Sequence, residues 1–170
     1  MINKKLCMLG AFSVGKTSLV SQYVHSLFSD KYLSTVGVKI SKKQLNLEGK
    51  DISLVLWDME GKDIYADINV SYLRGAMGFF VVADGTRKET LDTALTLREL
   101  AIDLLGPIPN KLLVNKSDMR ESWEITNTML EALTNQEISY CCTSARTREG
   151  VDEAFTAIAK EMLKGRYFGG

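Results

Sequence analysis

Residues 10 to 17 read Gly-Ala-Phe-Ser-Val-Gly-Lys-Thr, the spacing G-x-x-x-x-G-K-[ST], directly after the apolar run Leu6-Cys7-Met8-Leu9. Glycines at both ends of such a loop let the backbone wrap closely around a polyphosphate, and the N-terminus of the helix that follows adds a positive dipole end. Backbone N–H groups of Ala11, Phe12, Ser13, Val14 and Gly15 would line the cradle. Lys16 would reach the β- and γ-phosphates, and the Thr17 hydroxyl would take one Mg²⁺ position. A glycine-containing turn can match this spacing by accident. Here it stands between an apolar strand and a helix pattern, which is the context phosphate binding requires.

Three further segments follow apolar runs, and a fourth follows the first helix pattern. Trp57-Asp58-Met59-Glu60-Gly61 places an acid after a strand, where it can hold Mg²⁺, and then a glycine whose N–H can approach a γ-phosphate. Asn115-Lys116-Ser117-Asp118 supplies a carboxylate to accept from the donor edge of guanine, with the Lys116 stem along the base face. Thr143-Ser144-Ala145 offers the Ala145 N–H to the base oxygen and the Ser144 hydroxyl as a brace for Asp118. The loop from Phe28 to Thr35 can bring Thr35 to the Mg²⁺ and the γ-phosphate, and hydrolysis would release it again. Ser18, Tyr32 and Arg146 adjoin these motifs and complete the set of nucleotide contacts. Each of the four, met alone, reads as an ordinary polar turn or surface loop. Their order behind the first loop makes them one site for a guanine nucleotide, GTP or GDP.

Such a site needs a sheet whose strand ends converge, and the chain alternates strand-like and helix-like stretches throughout. Strands are expected at Leu6 to Leu9, Val38 to Leu47 (an edge strand, by its alternation), Ile52 to Trp57, Phe79 to Ala83, Leu112 to Val114 and Tyr140 to Thr143. Helices are expected at Thr17 to Leu27, Glu89 to Leu105, Trp123 to Leu133 and from Gly150 onward, with a loop and weak helix over 62–74. In the long helix Leu91, Leu95, Leu97, Leu100 and Leu104 read as the apolar side, ended by Pro107 and Pro109. The fold class is α/β: a mostly parallel sheet with helices on both faces.

The 170 residues suit one domain, residues 1–170, with 165–170 as a flexible tail. Lys+Arg and Asp+Glu both number 21, so no global field favours nucleic acid or acidic lipid. The three cysteines, Cys7, Cys141 and Cys142, have no metal-type spacing and read as small core residues in a reducing compartment, hence a cytoplasmic location. No signal peptide or membrane-spanning run is present, and the C-terminal residues carry no Cys for a direct lipid anchor. Recruitment to membranes would then fall to partners. His25 reads as an exposed helix residue, and Met59 and Met77 as packing residues.

With these residues in view, the chain resembles the Ras superfamily of small GTPases over essentially its whole length. It leans toward the Rab-like branch through Thr35-Val36-Gly37-Val38, Trp57-Asp58 and Tyr72-Leu73-Arg74-Gly75-Ala76. The resemblance implies a P-loop fold with a six-stranded sheet and five helices. It implies Phe28 near the base, Thr17, Thr35 and Asp58 at Mg²⁺, and Asp118 at guanine. It also implies effector, exchange-factor and GTPase-activating partners at the switch loops and an aromatic patch. Trp57 and Tyr72 match that patch, while Ile40 stands where an aromatic is usual.

The chain departs from the family where hydrolysis is arranged. Lys62 follows Gly61 in place of the water-positioning glutamine, and an ammonium cannot accept a hydrogen bond from the attacking water. Glu60 and Phe12 replace small residues, and the Phe12 ring would obstruct an incoming arginine finger. The expectation is a GTP-driven switch with slow intrinsic hydrolysis, Lys16, Thr35, Gly61 and Lys62 being the residues placed at the reacting phosphate. The alternative is a GTP-binding scaffold, or pseudo-GTPase, with no catalytic cycle. An ATP-dependent kinase is disfavoured by the Asn-Lys-x-Asp segment and the lack of an arginine-rich lid.

Overall fold

The computed structural model describes residues 1–30, 37–59 and 70–165. Six strands form one sheet in the order β2-β3-β1-β4-β5-β6. They are β1 (Ile2–Gly10), β2 (Val38–Leu47), β3 (Lys50–Met59), β4 (Gly78–Asp84), β5 (Asn110–Asn115) and β6 (Tyr140–Cys142). All neighbours run parallel except β2, which joins β3 antiparallel with Ile40 opposite Trp57. Among the described residues five α-helices accompany them: α1 (Lys16–His25), α2 (Val70–Leu73), α3 (Glu89–Leu105), α4 (Asn127–Asn135) and α5 (Val151–Lys164).

The six-stranded, mostly parallel sheet is the one expected, and its composition explains the layering. Every residue of β4 is buried, as a strand covered on both faces must be. One face packs Leu19, Val20 and Tyr23 of α1 against Phe155 and Ile158 of α5, and the Tyr23 and Phe155 rings stack at 4.1 Å. The other face packs Leu73, Leu91, Ala94, Leu130 and Leu133 from α2, α3 and α4. At the exposed edge, β2 carries Lys39, Lys42 and Lys43, charges that discourage pairing with a further strand.

Three local expectations change. In α3 the first part of the leucine stripe does face the core, with Leu91 buried and Leu95 and Leu97 packed against it, but Leu100 and Leu104 are exposed and Thr90, Thr93, Ala94 and Ala101 lie inward. The small residues let the helix backbone sit close on β4, whereas leucines there would hold it off. The helix expected from Trp123 starts at Asn127, because Thr126 caps it by accepting the Met129 N–H at 3.2 Å. Residues Ser117–Ser122 form a 3₁₀ turn instead. Finally, only Cys7 is a core cysteine; Cys141 and Cys142 are half-buried on the edge strand β6. Among the described residues no helix is long and apolar enough to cross a membrane.

The strand order reverses at β1, whose chain leaves toward β2 and β3 on one side while β4 lies on the other. Ligand crevices in open parallel sheets form at such a point, beyond the carboxyl ends of the strands.

Candidate nucleotide site

The loop 10–17 leaves the carboxyl end of β1 and enters α1 through Gly15, whose φ is +102°. A Cβ at Gly15 would collide with the side-chain amide of Asn115, so only glycine fits. The loop carbonyls are held from several directions. Asn115 Nδ2 donates to Val14 O at 3.0 Å, Arg87 Nη2 to Phe12 O at 2.9 Å, and Leu19 N to Gly15 O at 2.9 Å. In a trans peptide the N–H points opposite its carbonyl. The N–H groups of Ser13, Gly15 and Lys16 are therefore turned away from those donors, as an anion cradle requires.

Lys16 lies beneath the loop and donates from Nζ to Gly10 O and Ala11 O, both at 2.9 Å. Burial pushes its ammonium down to about 8; nearby Asp58 opposes that shift and the Arg87 cation adds to it. An ammonium under such desolvation gains from an anionic partner. Thr17 Oγ1 donates to Asp58 Oδ2 at 2.6 Å, bringing a hydroxyl and a buried carboxylate together at the first turn of α1, where Ser18 also stands. Hard oxygens of these two kinds fit Mg²⁺, which is commonly held by few protein ligands completed by substrate phosphates.

The base end is a bracket around Asn115, which closes β5. Its Oδ1 accepts the Thr143 hydroxyl at 3.1 Å and the Ala145 N–H at 3.3 Å. The Ala145 N–H, expected at a base oxygen, is thus directed at Asn115. Ser144 donates from Oγ to Asp118 Oδ1 at 2.7 Å, the brace expected of it. Lys116, at φ +72°, sends its ammonium to Asp84 Oδ2 at 2.8 Å, and its carbonyl accepts the Trp123 indole N–H at 2.8 Å. Trp123 lies so close over Gly85 that a Cβ there would overlap the indole, which explains why Trp123 belongs to this loop and not to α4. Arg146 pairs at 3.4 Å with Asp30, tying the base end to the segment after α1 that carries the exposed Phe28.

Tyr32, Thr35, Glu60, Gly61 and Lys62 lie outside the described residues. The patch residues are placed: Trp57 and Tyr72 meet with ring centroids 6.2 Å apart, Lys5 Nζ sits 3.5 Å from the centre of the Trp57 ring, and Ile40 is half exposed beside them. Sequence reasoning missed Asp84, Thr86 and Arg87. Asp84 is fully buried at the end of β4 and gathers Thr86 N and Oγ1 at 2.9 and 2.7 Å, Arg87 Nε at 3.0 Å and Lys116 Nζ. Burial alone would raise its pKa, but these hydrogen bonds outweigh that and hold the carboxyl below its usual value. The available signal was an acid closing an otherwise apolar strand, Phe79 to Ala83. Gln22, whose Nε2 donates to Ala145 O at 2.8 Å, gave no signal of that kind.

A sequence profile described as the Ras family matches residues 5–164. Among curated proteins, Ras-related protein Rab-13 of Rattus norvegicus is 31% identical over 161 residues, covering 94% of this chain and 79% of the relative. Ras-related protein Rab-8B of Homo sapiens is 30% identical over 161 residues, covering 94% and 78%. Ras-related protein Rab11E of Lotus japonicus is 34% identical over 162 residues, covering 94% and 74%. With a phosphate loop at the reversal of the sheet and a carboxylate braced at its far end, the chain belongs to the Ras family, on its Rab-like side, and is a GTP-binding molecular switch with GTPase activity.

Proposed function

We propose that residues 1–170 act as one G domain in which 11–18 hold the phosphates and Asn115, Lys116, Asp118 and 143–146 hold guanine. The observation that carries this reading is the arrangement of loop carbonyls at Phe12, Val14 and Gly15, each engaged so that the following N–H faces the other way. The Lys16 ammonium offers the β- and γ-phosphates the counter-charge its buried setting lacks. The Asp118 carboxylate accepts from the guanine edge while Ser144 fixes its rotamer. Thr17 and Asp58, joined by Thr35, would hold Mg²⁺. When bound, that ion neutralises charge across the β- and γ-phosphate oxygens.

Hydrolysis proceeds slowly without a partner in this reading, because Lys62 replaces an amide that can accept from water and because the Phe12 ring, 49% exposed, stands at the loop. Effectors, an exchange factor and an activating protein meet the switch loops and the patch of Ile40, Trp57 and Tyr72. The protein is cytoplasmic and reaches membranes through such partners. The test is the nucleotide released when protein purified with magnesium is denatured, together with Asp118→Ala. A guanine nucleotide in the wild type, and a lost preference for GDP over ADP in the variant, are expected. An adenine nucleotide, or an unchanged preference, overturns the assignment.

A further inference from the structure

We infer that Arg87 is a positioning residue for the phosphate loop, a strut from the end of β4 that fixes the Phe12–Ser13 peptide. The guanidinium is itself held: Nε donates to the buried carboxylate of Asp84 at 3.0 Å, and Nη2 donates to Phe12 O at 2.9 Å. Phe12 O and the Ser13 N–H belong to one peptide unit. Pulling the carbonyl toward Arg87 turns the N–H the opposite way, into the loop. A cation on that carbonyl also polarises the amide and makes its N–H a stronger donor.

The loop needs such a strut. Ser13 has φ +63°, a left-handed conformation that disfavours a residue with a side chain. Its neighbour Phe12 is half exposed and lies outside both core clusters. Asp84 spends the same oxygen, Oδ2, on the ammonium of Lys116, so one carboxylate anchors both the phosphate strut and the base-end lysine. Lysine at 87 could not make both contacts, since it lacks the planar fork that reaches two acceptors at once.

The inference rests on loop 10–17 being the polyphosphate site, and a monophosphate separates the two ideas. Guanosine monophosphate has no β-phosphate for the Ser13 N–H to meet. Affinities for GDP and for guanosine monophosphate would be measured by competition against a fluorescent GDP, for wild type, Arg87→Ala and Arg87→Gln, with melting temperatures recorded alongside. Arg87→Ala should weaken GDP about tenfold, the scale of one charge-assisted hydrogen bond, and leave guanosine monophosphate within about twofold. Arg87→Gln, which keeps a neutral donor, should recover part of the GDP loss. In the Arg87→Ala protein bound to GDP, the Ser13 amide proton resonance should move upfield as its hydrogen bond weakens. Equal losses for both nucleotides, a loss tracking the melting temperature in both variants, or no loss for either would overturn the role of Arg87. A wild-type protein that binds neither nucleotide would instead overturn the phosphate-loop assignment itself.

Discussion

The two ends of the nucleotide cleft are built from different forces. Around Asn115 at the base end the contacts are neutral and buried, Asn115 to Thr143 at 3.1 Å and to Ala145 at 3.3 Å, with the charged groups Asp118, Lys116 and Arg146 set around that bracket. At the phosphate end the groups are ionised and close together: Lys16, Arg87, Asp58 and Asp84. Neutral donors and acceptors read a pattern and therefore give selectivity, while charges in a desolvated setting give strength. The Asn115 bracket should accordingly be indifferent to pH and salt near neutrality, and the phosphate end should respond to both. Asn115 and Asp84 are the two places where the ends are joined, Asn115 through Val14 O and Asp84 through Lys116 and Arg87.

The strongest way to break the contrast is Asn115→Ala. It removes three hydrogen bonds and leaves the Val14 carbonyl, the buried Thr143 hydroxyl and the Ala145 N–H without their partner. Loss of stability of about 3 kcal/mol is expected. That corresponds to a melting temperature lower by about 6–12 °C for a domain of this size. Asp118→Ala is the matched comparison: it removes one hydrogen bond, the one donated by the buried Ser144 hydroxyl, and should cost about 1 kcal/mol of stability while abolishing guanine preference. Equal thermal shifts in the two variants would show that Asn115 is not the bracket its geometry describes.

Within the phosphate end, Lys62→Gln separates holding the nucleotide from cleaving it. Restoring an amide that can orient water should raise single-turnover GTP hydrolysis about tenfold, a change of about 1.4 kcal/mol in the barrier. GDP affinity should stay within about twofold, since the cradle is untouched. An unchanged rate would shift responsibility to Phe12, or to Glu60 as the group that positions water.

The same contrast explains what was legible in the sequence. Gly15, Lys16, Thr17, Asn115 and Asp118 announce themselves because spacing between neighbours in the chain carries the signal, and Ser144 could be tied to Asp118 through the shared ligand. Arg87 and Asp84 could not be found that way. Their partners Phe12 and Lys116 lie 75 and 32 residues away, and only the parallel pairing of β1, β4 and β5 brings them together. The strands were readable because β4 and β5 carry unbroken apolar runs, Phe79 to Ala83 and Leu112 to Val114. The second half of α3 departs from its leucine pattern for a complementary reason. Hydrophobicity marks leucine, but close helix-on-sheet packing selects Ala94 and Ala101 and leaves Leu100 and Leu104 outside. Trp123 reads as a helix residue until its indole is needed on Gly85 and the Lys116 carbonyl.

The finest test of the contrast is a proton count. Burial holds the Lys16 ammonium at about 8 against an ordinary value of 10.5, so between these values the unfolded chain binds more protons than the folded one. The stability contributed by this group therefore rises as pH climbs from about 8 toward 10.5, because the cost of burying the ammonium is removed as it deprotonates. Phosphate oxygens brought beside Lys16 reverse the shift, raising its pKa again. GDP binding to protein stripped of nucleotide should then take up about half a proton at pH 8, and affinity should fall as pH rises further. Calorimetry in buffers of different ionisation enthalpy measures that uptake directly. Lys16→Met should abolish it, whereas Asp118→Ala, altered only at the base end, should leave it intact. Proton uptake that vanished in Asp118→Ala and persisted in Lys16→Met would place the titrating group at the wrong end of the cleft and dissolve the division between neutral selectivity and charged strength.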